Sequence, residues 1–116
     1  MTSETCVFCR IAAGEIPADF VHQDDLVIAF RDITPKAPTH ILLMPREHVV
    51  AAADLTDAHG PMLGRLFAVA AQLARDAGVA ESGYRLVTNS GKGAGQSVPH
   101  LHFHLMGGRP MRWPPG

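Results

Sequence analysis

Apolar and polar positions along the chain follow two periods. Between residues 58 and 77, Met62, Leu66, Val69, Leu73 and Ala77 recur at intervals of three and four, the spacing of one helical face. Thr56 or Asp57 can cap the start of this one long helix, and Gly78 can end it. The remaining pattern is that of strands. Residues 26–30 (Leu-Val-Ile-Ala-Phe) are rich in β-forming side chains, and residues 40–44 lie between Pro38 and Pro45. Residues 19–22 predict a short first strand, 84–88 a fourth and 100–106 a fifth. The turn-rich stretch 32–38 predicts an antiparallel connection between the second and third strands. Ahead of them all, Gly14 stops a short helix that follows Cys9. This order, helix, three strands, helix, two strands, predicts an α+β fold with a mainly antiparallel sheet, because strands and helices do not alternate regularly.

The 116 residues suit a single domain spanning 1–116. With 47% hydrophobic and 18% charged residues the chain has the balance of a folded protein rather than a disordered one. Ten Lys and Arg against eleven Asp and Glu exclude the basic surface that a nucleic-acid or membrane-surface binder needs. The longest apolar run, residues 66–71, is far short of the roughly 18 that span a bilayer. No basic stretch followed by an apolar one opens the chain, which predicts a cytoplasmic protein. In that compartment Cys6-Val-Phe-Cys9 suits a metal or redox site better than a disulfide, a buried reduced pair being the alternative.

Three of the seven histidines fall within five positions, in His100-Leu-His-Phe-His-Leu-Met106. Strand side chains alternate faces, so this pattern predicts His100, His102 and His104 on one face and Leu101, Phe103 and Leu105 on the other. Imidazole exchanges protons near neutral pH, attacks phosphorus and binds metals, so a row of three points to chemistry rather than packing. Just upstream, glycines at 91, 93 and 95 free a loop to turn its amides toward an anion, with Asn89, Gln96 and Ser97 beside them. Asp32 follows Phe30 by two and shares its side of the strand end. His22 and His59 have no evident partner and are expected on the surface. An iron oxygenase built on two of the histidines would need a carboxylate, and no acidic residue lies beside the three in sequence.

The alternating histidine segment resembles the signature of the histidine triad (HIT) superfamily. Residues 29–40, Gly95-Gln-Ser-Val98 and the tail Gly107-Gly-Arg-Pro-Met-Arg-Trp-Pro-Pro-Gly116 resemble its Hint branch, the purine nucleoside phosphoramidases. The resemblance implies a five-stranded antiparallel sheet with one long and one short helix, extended across a homodimer. It implies a hydrolase in which His102 attacks the phosphorus of a nucleoside 5′-phosphoramidate and carries the nucleotide covalently. By the same resemblance, His104, Asn89 and the loop at Gly95, Gln96, Ser97 and Val98 hold the phosphate. Ser97 lies near the leaving amine, and His40 stands behind the triad in a hydrogen-bond relay. Phe8, Ile11, Phe30, Ile33 and Leu42 line a purine slot, while Asp32 accepts the ribose hydroxyls. In zinc-carrying members the ligands map onto Cys6, Cys9, His48 and His100, implying one structural zinc per chain and no metal needed for turnover. The implied partners are purine nucleoside monophosphates and phosphoramidates and a second copy of the chain. A dinucleoside polyphosphate hydrolase using the same His102, or a non-catalytic purine nucleotide-binding protein, are the alternatives, and the Trp113 tail favours the phosphoramidase.

Overall fold

The computed structural model describes residues 5–116. A short helix α1 (Val7–Ala12) leads into strands β1 (Phe20–Gln23), β2 (Val27–Arg31) and β3 (Thr39–Pro45). The long helix α2 (Gly60–Asp76) follows, and β4 (Tyr84–Val87) and β5 (Phe103–Gly107) complete one sheet in the order β1-β2-β3-β5-β4. Every pairing is antiparallel, as the sequence predicts. No helix is long and apolar enough to cross a membrane.

Both helices end on a glycine in the left-handed region, at φ 79° for Gly14 and 76° for Gly78. After Gly78 the Val79 N–H reaches back to the Ala74 carbonyl, and after Gly14 the Glu15 N–H reaches the Arg10 carbonyl, so each last turn is satisfied from beyond its end. The start of α2 differs from the sequence reading. Residues 57–59 wind as a tighter 3₁₀ turn, and the α-helix begins at Gly60, where Pro61 has no N–H to lose. His59 is drawn into this turn by accepting the Thr56 N–H on Nδ1 at 2.9 Å.

The period of two along the strands sorts the sheet into two faces. Val27, Ala29, Ile41, Leu43 and Leu105 pack against Met62, Leu66, Val69 and Leu73 of α2 and form the main core. Each fully buried side chain of that size contributes about 1.5–3 kcal/mol, so this face carries most of the stability. The other face presents Ile28, Phe30, Leu42 and Met44 to Cys6, Phe8 and Ile11 from the start of the chain. Helix α1 is too short to be stable alone and exists because this packing and the Cys6 sulfur capping the Cys9 N–H hold it.

The fifth strand is shorter than the alternation suggests. It starts at Phe103, while the His100 N–H turns back to the Val98 carbonyl and the Leu101 N–H goes to the Val49 carbonyl. Pro99 cannot donate to a ladder, and β3 offers its last partner at Leu43 opposite Phe103. The three histidines therefore straddle a bend.

Candidate active site and metal centre

The hydrogen bonds of each imidazole fix where its proton sits. His102 is 5% exposed, and its Nδ1 lies 2.7 Å from the His100 carbonyl, which only accepts. Nδ1 thus carries the hydrogen, and in the neutral ring Nε2 holds the lone pair. Phe8 packs edge-to-face on this ring, with centroids 5.0 Å apart, and the Thr88 hydroxyl donates to the His102 carbonyl at 2.7 Å. Sequence reasoning missed Thr88, since a single hydroxyl at the end of a strand carries no pattern.

His40 shows the reverse order. Its Nδ1 accepts the Lys36 N–H at 3.0 Å, so the neutral ring is protonated at Nε2, which donates to His104 Nδ1 at 2.9 Å. His104 is then protonated at its own Nε2, a donor on the side away from His40. Burial above all pushes the pKa of His40 below the usual histidine range, with Lys36 adding to the shift and Asp32 opposing it. Burial likewise lowers His104, helped by His102 and His40. The relay is therefore a chain of neutral rings near pH 7.

Asp32 Oδ2 lies 3.4 Å from His40 Nε2, which brings a carboxylate to the histidines after all. The β2–β3 turn does this, closed by the Asp32 N–H on the His40 carbonyl. Asp32, His40 and His104 are close enough to share an ion, yet the Lys36 N–H on His40 Nδ1 keeps the proton on the nitrogen that would have to bind it. An open cleft of about 330 Å³ is lined by Asp32, His40, Asn89 and His104.

Phe8, Ile11, Phe30 and Leu42 share one apolar cluster, with Val98 against it. Ile33 stands apart from them at 98% exposure. Gly91 and Gly95 take positive φ in the loop, where the N–H groups of Ala94, Gly95 and Gln96 bond within the loop and that of Gly91 goes to Gln96 Oε1. The Gln96 amide in turn donates to the Val50 and Val98 carbonyls, so it braces the loop. Ser97 is exposed and takes no part in this internal bonding.

His22 and His59 are not bare surface residues. His22 Nε2 lies 2.6 Å from Asp24 Oδ2 and His59 Nε2 lies 3.2 Å from Glu47 Oε2, and both rings are partly buried. Burial alone would raise the Asp24 carboxyl, but hydrogen bonds from His22, the Leu26 and Val27 amides and Arg65 hold it well below the usual carboxylate range.

On the other side of the bend, Cys6, Cys9, His48 and His100 bring their ligand atoms within 4.8 Å of one another, an arrangement able to hold a metal ion. His100 Nε2 donates to the Pro45 carbonyl at 2.8 Å, leaving Nδ1 as a lone pair aimed at the sulfurs of Cys6 (3.4 Å) and Cys9 (3.5 Å). His48 Nδ1 lies 3.2 Å from both Cys9 Sγ and His100 Nδ1. A tetrahedral ion with bonds of about 2.0–2.3 Å sets its ligands about 3.3–3.8 Å apart, close to this spacing. His48 Nε2 is buried with no hydrogen-bond partner, a cost of about 1–3 kcal/mol that a bond at Nδ1 can offset. Burial foremost, and the Cys6 neighbour, push the Cys9 thiol up to about 11. A bound cation reverses that shift by stabilising the thiolate.

A five-stranded antiparallel sheet that carries the histidine segment beside a Gly-rich loop matches the HIT domain, whose profile covers residues 13–111. The chain belongs to the HIT family. It is 50% identical over 109 residues to the purine nucleoside phosphoramidase of Escherichia coli, covering 94% of this chain and 92% of that one. Among solved structures, a HIT family hydrolase from Legionella pneumophila superposes with a TM-score of 0.95 at 49% identity, covering 97% and 100% of the two chains. The histidine triad nucleotide-binding protein of Candida albicans gives 0.81 at 30% identity, over 95% and 83%.

Proposed function

We propose that the protein is a hydrolase of purine nucleoside 5′-phosphoramidates. The observation that carries this reading is the His102 ring, held by the His100 carbonyl with Nε2 unprotonated and ready to attack phosphorus. The 50% identity to an enzyme named for that activity supports the substrate class.

In the first step Nε2 of His102 bonds to the phosphorus and the P–N bond breaks, its electron pair leaving with the amine. The departing nitrogen takes its proton from water on the solvent-facing side, where Ser97 is exposed. His104, by donating Nε2–H, and Asn89 stabilise the charge that grows on the phosphoryl oxygens. Water then attacks the phosphorus, the P–Nε2 bond breaks with its pair returning to His102, and the monophosphate leaves with one proton released. Phe8, Ile11, Phe30 and Leu42 offer the apolar walls that a purine fills, and Asp32 accepts from the ribose hydroxyls. Incubation with adenosine 5′-phosphoramidate should release adenosine monophosphate and ammonia in equal amounts in the presence of chelator. Faster turnover of a diadenosine polyphosphate would transfer the assignment to that class.

In this reading the ion at Cys6, Cys9, His48 and His100 is zinc. Two thiolates and two imidazoles fill its shell, so it supplies structure and no open position for water. The working unit is a homodimer in the cytoplasm. Strand β4 leaves a sheet edge, Phe67 stands 49% exposed on α2, and Trp113 is 83% exposed on the tail, all surfaces a second copy can cover. Light scattering at micromolar concentration should give twice the chain mass, and a single-chain mass would reject the dimer.

A further inference from the structure

The proton order of the triad extends past His40 into the C-terminal tail. Lys36, in the turn between β2 and β3, has both of its backbone polar groups engaged. Its N–H donates to His40 Nδ1 at 3.0 Å, and its carbonyl accepts from Arg109 Nε at 2.9 Å. Close packing brings the tail there. Gly108, at φ 90°, lies so near Pro38 that a Cβ built on it would meet the proline Cβ at 2.9 Å, and this glycine precedes Arg109. The Arg109 guanidinium is itself oriented by donating Nη1 to the Pro110 carbonyl at 3.1 Å. The start of the turn has its own anchors, the Thr34 N–H on Asp32 Oδ1 and the Asp32 N–H on the His40 carbonyl. Among the described residues, Arg109 and His40 are the only side chains that hydrogen-bond the backbone of residues 35–38.

We infer that Arg109 is a positioning residue that sets the tautomers of His40 and His104 through the Lys36 backbone. Held by Arg109, Lys36 keeps its N–H on His40 Nδ1, which forces the His40 proton to Nε2. His104 must then accept at Nδ1 and carry its own proton on Nε2. Without that hold the Lys36 N–H can swing off, and only the Asp32 carboxylate, 3.4 Å from Nε2, still opposes a His40 proton at Nδ1. With the proton there, His40 Nε2 would meet the His104 Nδ1 lone pair across 2.9 Å, a contact relieved only if His104 moves its proton to Nδ1. His104 would turn a lone pair, in place of a donor, toward a negative phosphoryl group. The geometric error is small, and its cost falls on the transition state, where charge on those oxygens is greatest.

The kinetic part of this inference rests on the phosphoramidase reading, while the tautomer is readable without substrate. Nitrogen-15 NMR of the intact histidine-labelled protein should find His40 protonated at Nε2. Arg109→Leu should shift that signal toward the Nδ1-protonated form and lower kcat about ten- to a hundredfold with KM changed less than about twofold. Lys36→Pro, which removes the N–H itself, should do the same, and the double variant should lose no more than Lys36→Pro alone. An unchanged His40 signal in Arg109→Leu, or losses that multiply in the double variant, overturns the inference. An inactive wild-type protein counts against the phosphoramidase reading alone.

Discussion

His102→Ala should lower turnover of an adenosine phosphoramidate by at least about 10⁴-fold while changing adenosine monophosphate affinity only slightly. The asymmetry follows from what the ring does. In the proposed mechanism it contributes one lone pair to the reaction, whereas the apolar cluster at Phe8, Ile11, Phe30 and Leu42 and the braced loop at Gln96 are built without it. Methyl in place of imidazole removes an edge-to-face partner from Phe8 and opens space beside it, which slackens binding modestly. The substrate is also attacked poorly by water alone, because the remaining groups stabilise charge but supply no nucleophile. Rapid-quench kinetics with labelled nucleotide should trap a protein adduct in the wild type and none in the variant. Retention of more than about a tenth of the activity, or an adduct in the variant, would remove His102 from its role.

The second large effect is on stability. Elemental analysis should find about one zinc per chain, and Cys6→Ser should lose it. An ion present at a thousandfold its dissociation constant stabilises a fold by about 4 kcal/mol. For a domain of this size that is a fall in Tm of about 15 °C. Serine nearly matches cysteine in shape and keeps a cap for the Cys9 N–H, so the loss reports the ion rather than a cavity. Catalysis should fall far less than in His102→Ala, since the His102 Nδ1 bond is to a backbone carbonyl that the substitution does not touch. Chelation that leaves the wild-type Tm unchanged would reject the site.

Periodicity made the sheet and the long helix legible, because burial on one face forces apolar residues to recur at the period of the element. Metal-ligand spacing at Cys6 and Cys9 was equally visible, being local. What the alternation could not show was the bend at His100. Strict period two aligns three imidazoles, but Pro99 and the end of the β3 ladder split them, sending His100 to the cysteines and His104 to the cleft, with the His102 ring packed beside that of His104. The place of Asp32 after Phe30 is legible in the sequence, while its approach to His40 depends on how the turn between them closes. The partners of His22 and His59 are not legible in the sequence for a related reason. Asp24 and Glu47 are reached through turn geometry, and no hydrophobic pattern records that.

Helix α1 has one more consequence. Six residues of helix stand between two clusters, with Cys9 and its cap Cys6 in the metal-ligand set and Phe8 and Ile11 in the apolar cluster with Ile28, Phe30, Leu42 and Met44. Because the helix is too short to persist alone, anything that orders it from one side prepares the other. If the proposed zinc and purine both bind, their affinities are linked quantities, and each strengthens the other by the same factor. In the proposed reading the cysteine cluster is a reservoir of preorganisation for the apolar walls, and a chain stripped of zinc would bind purines as though one wall had to be rebuilt at every encounter.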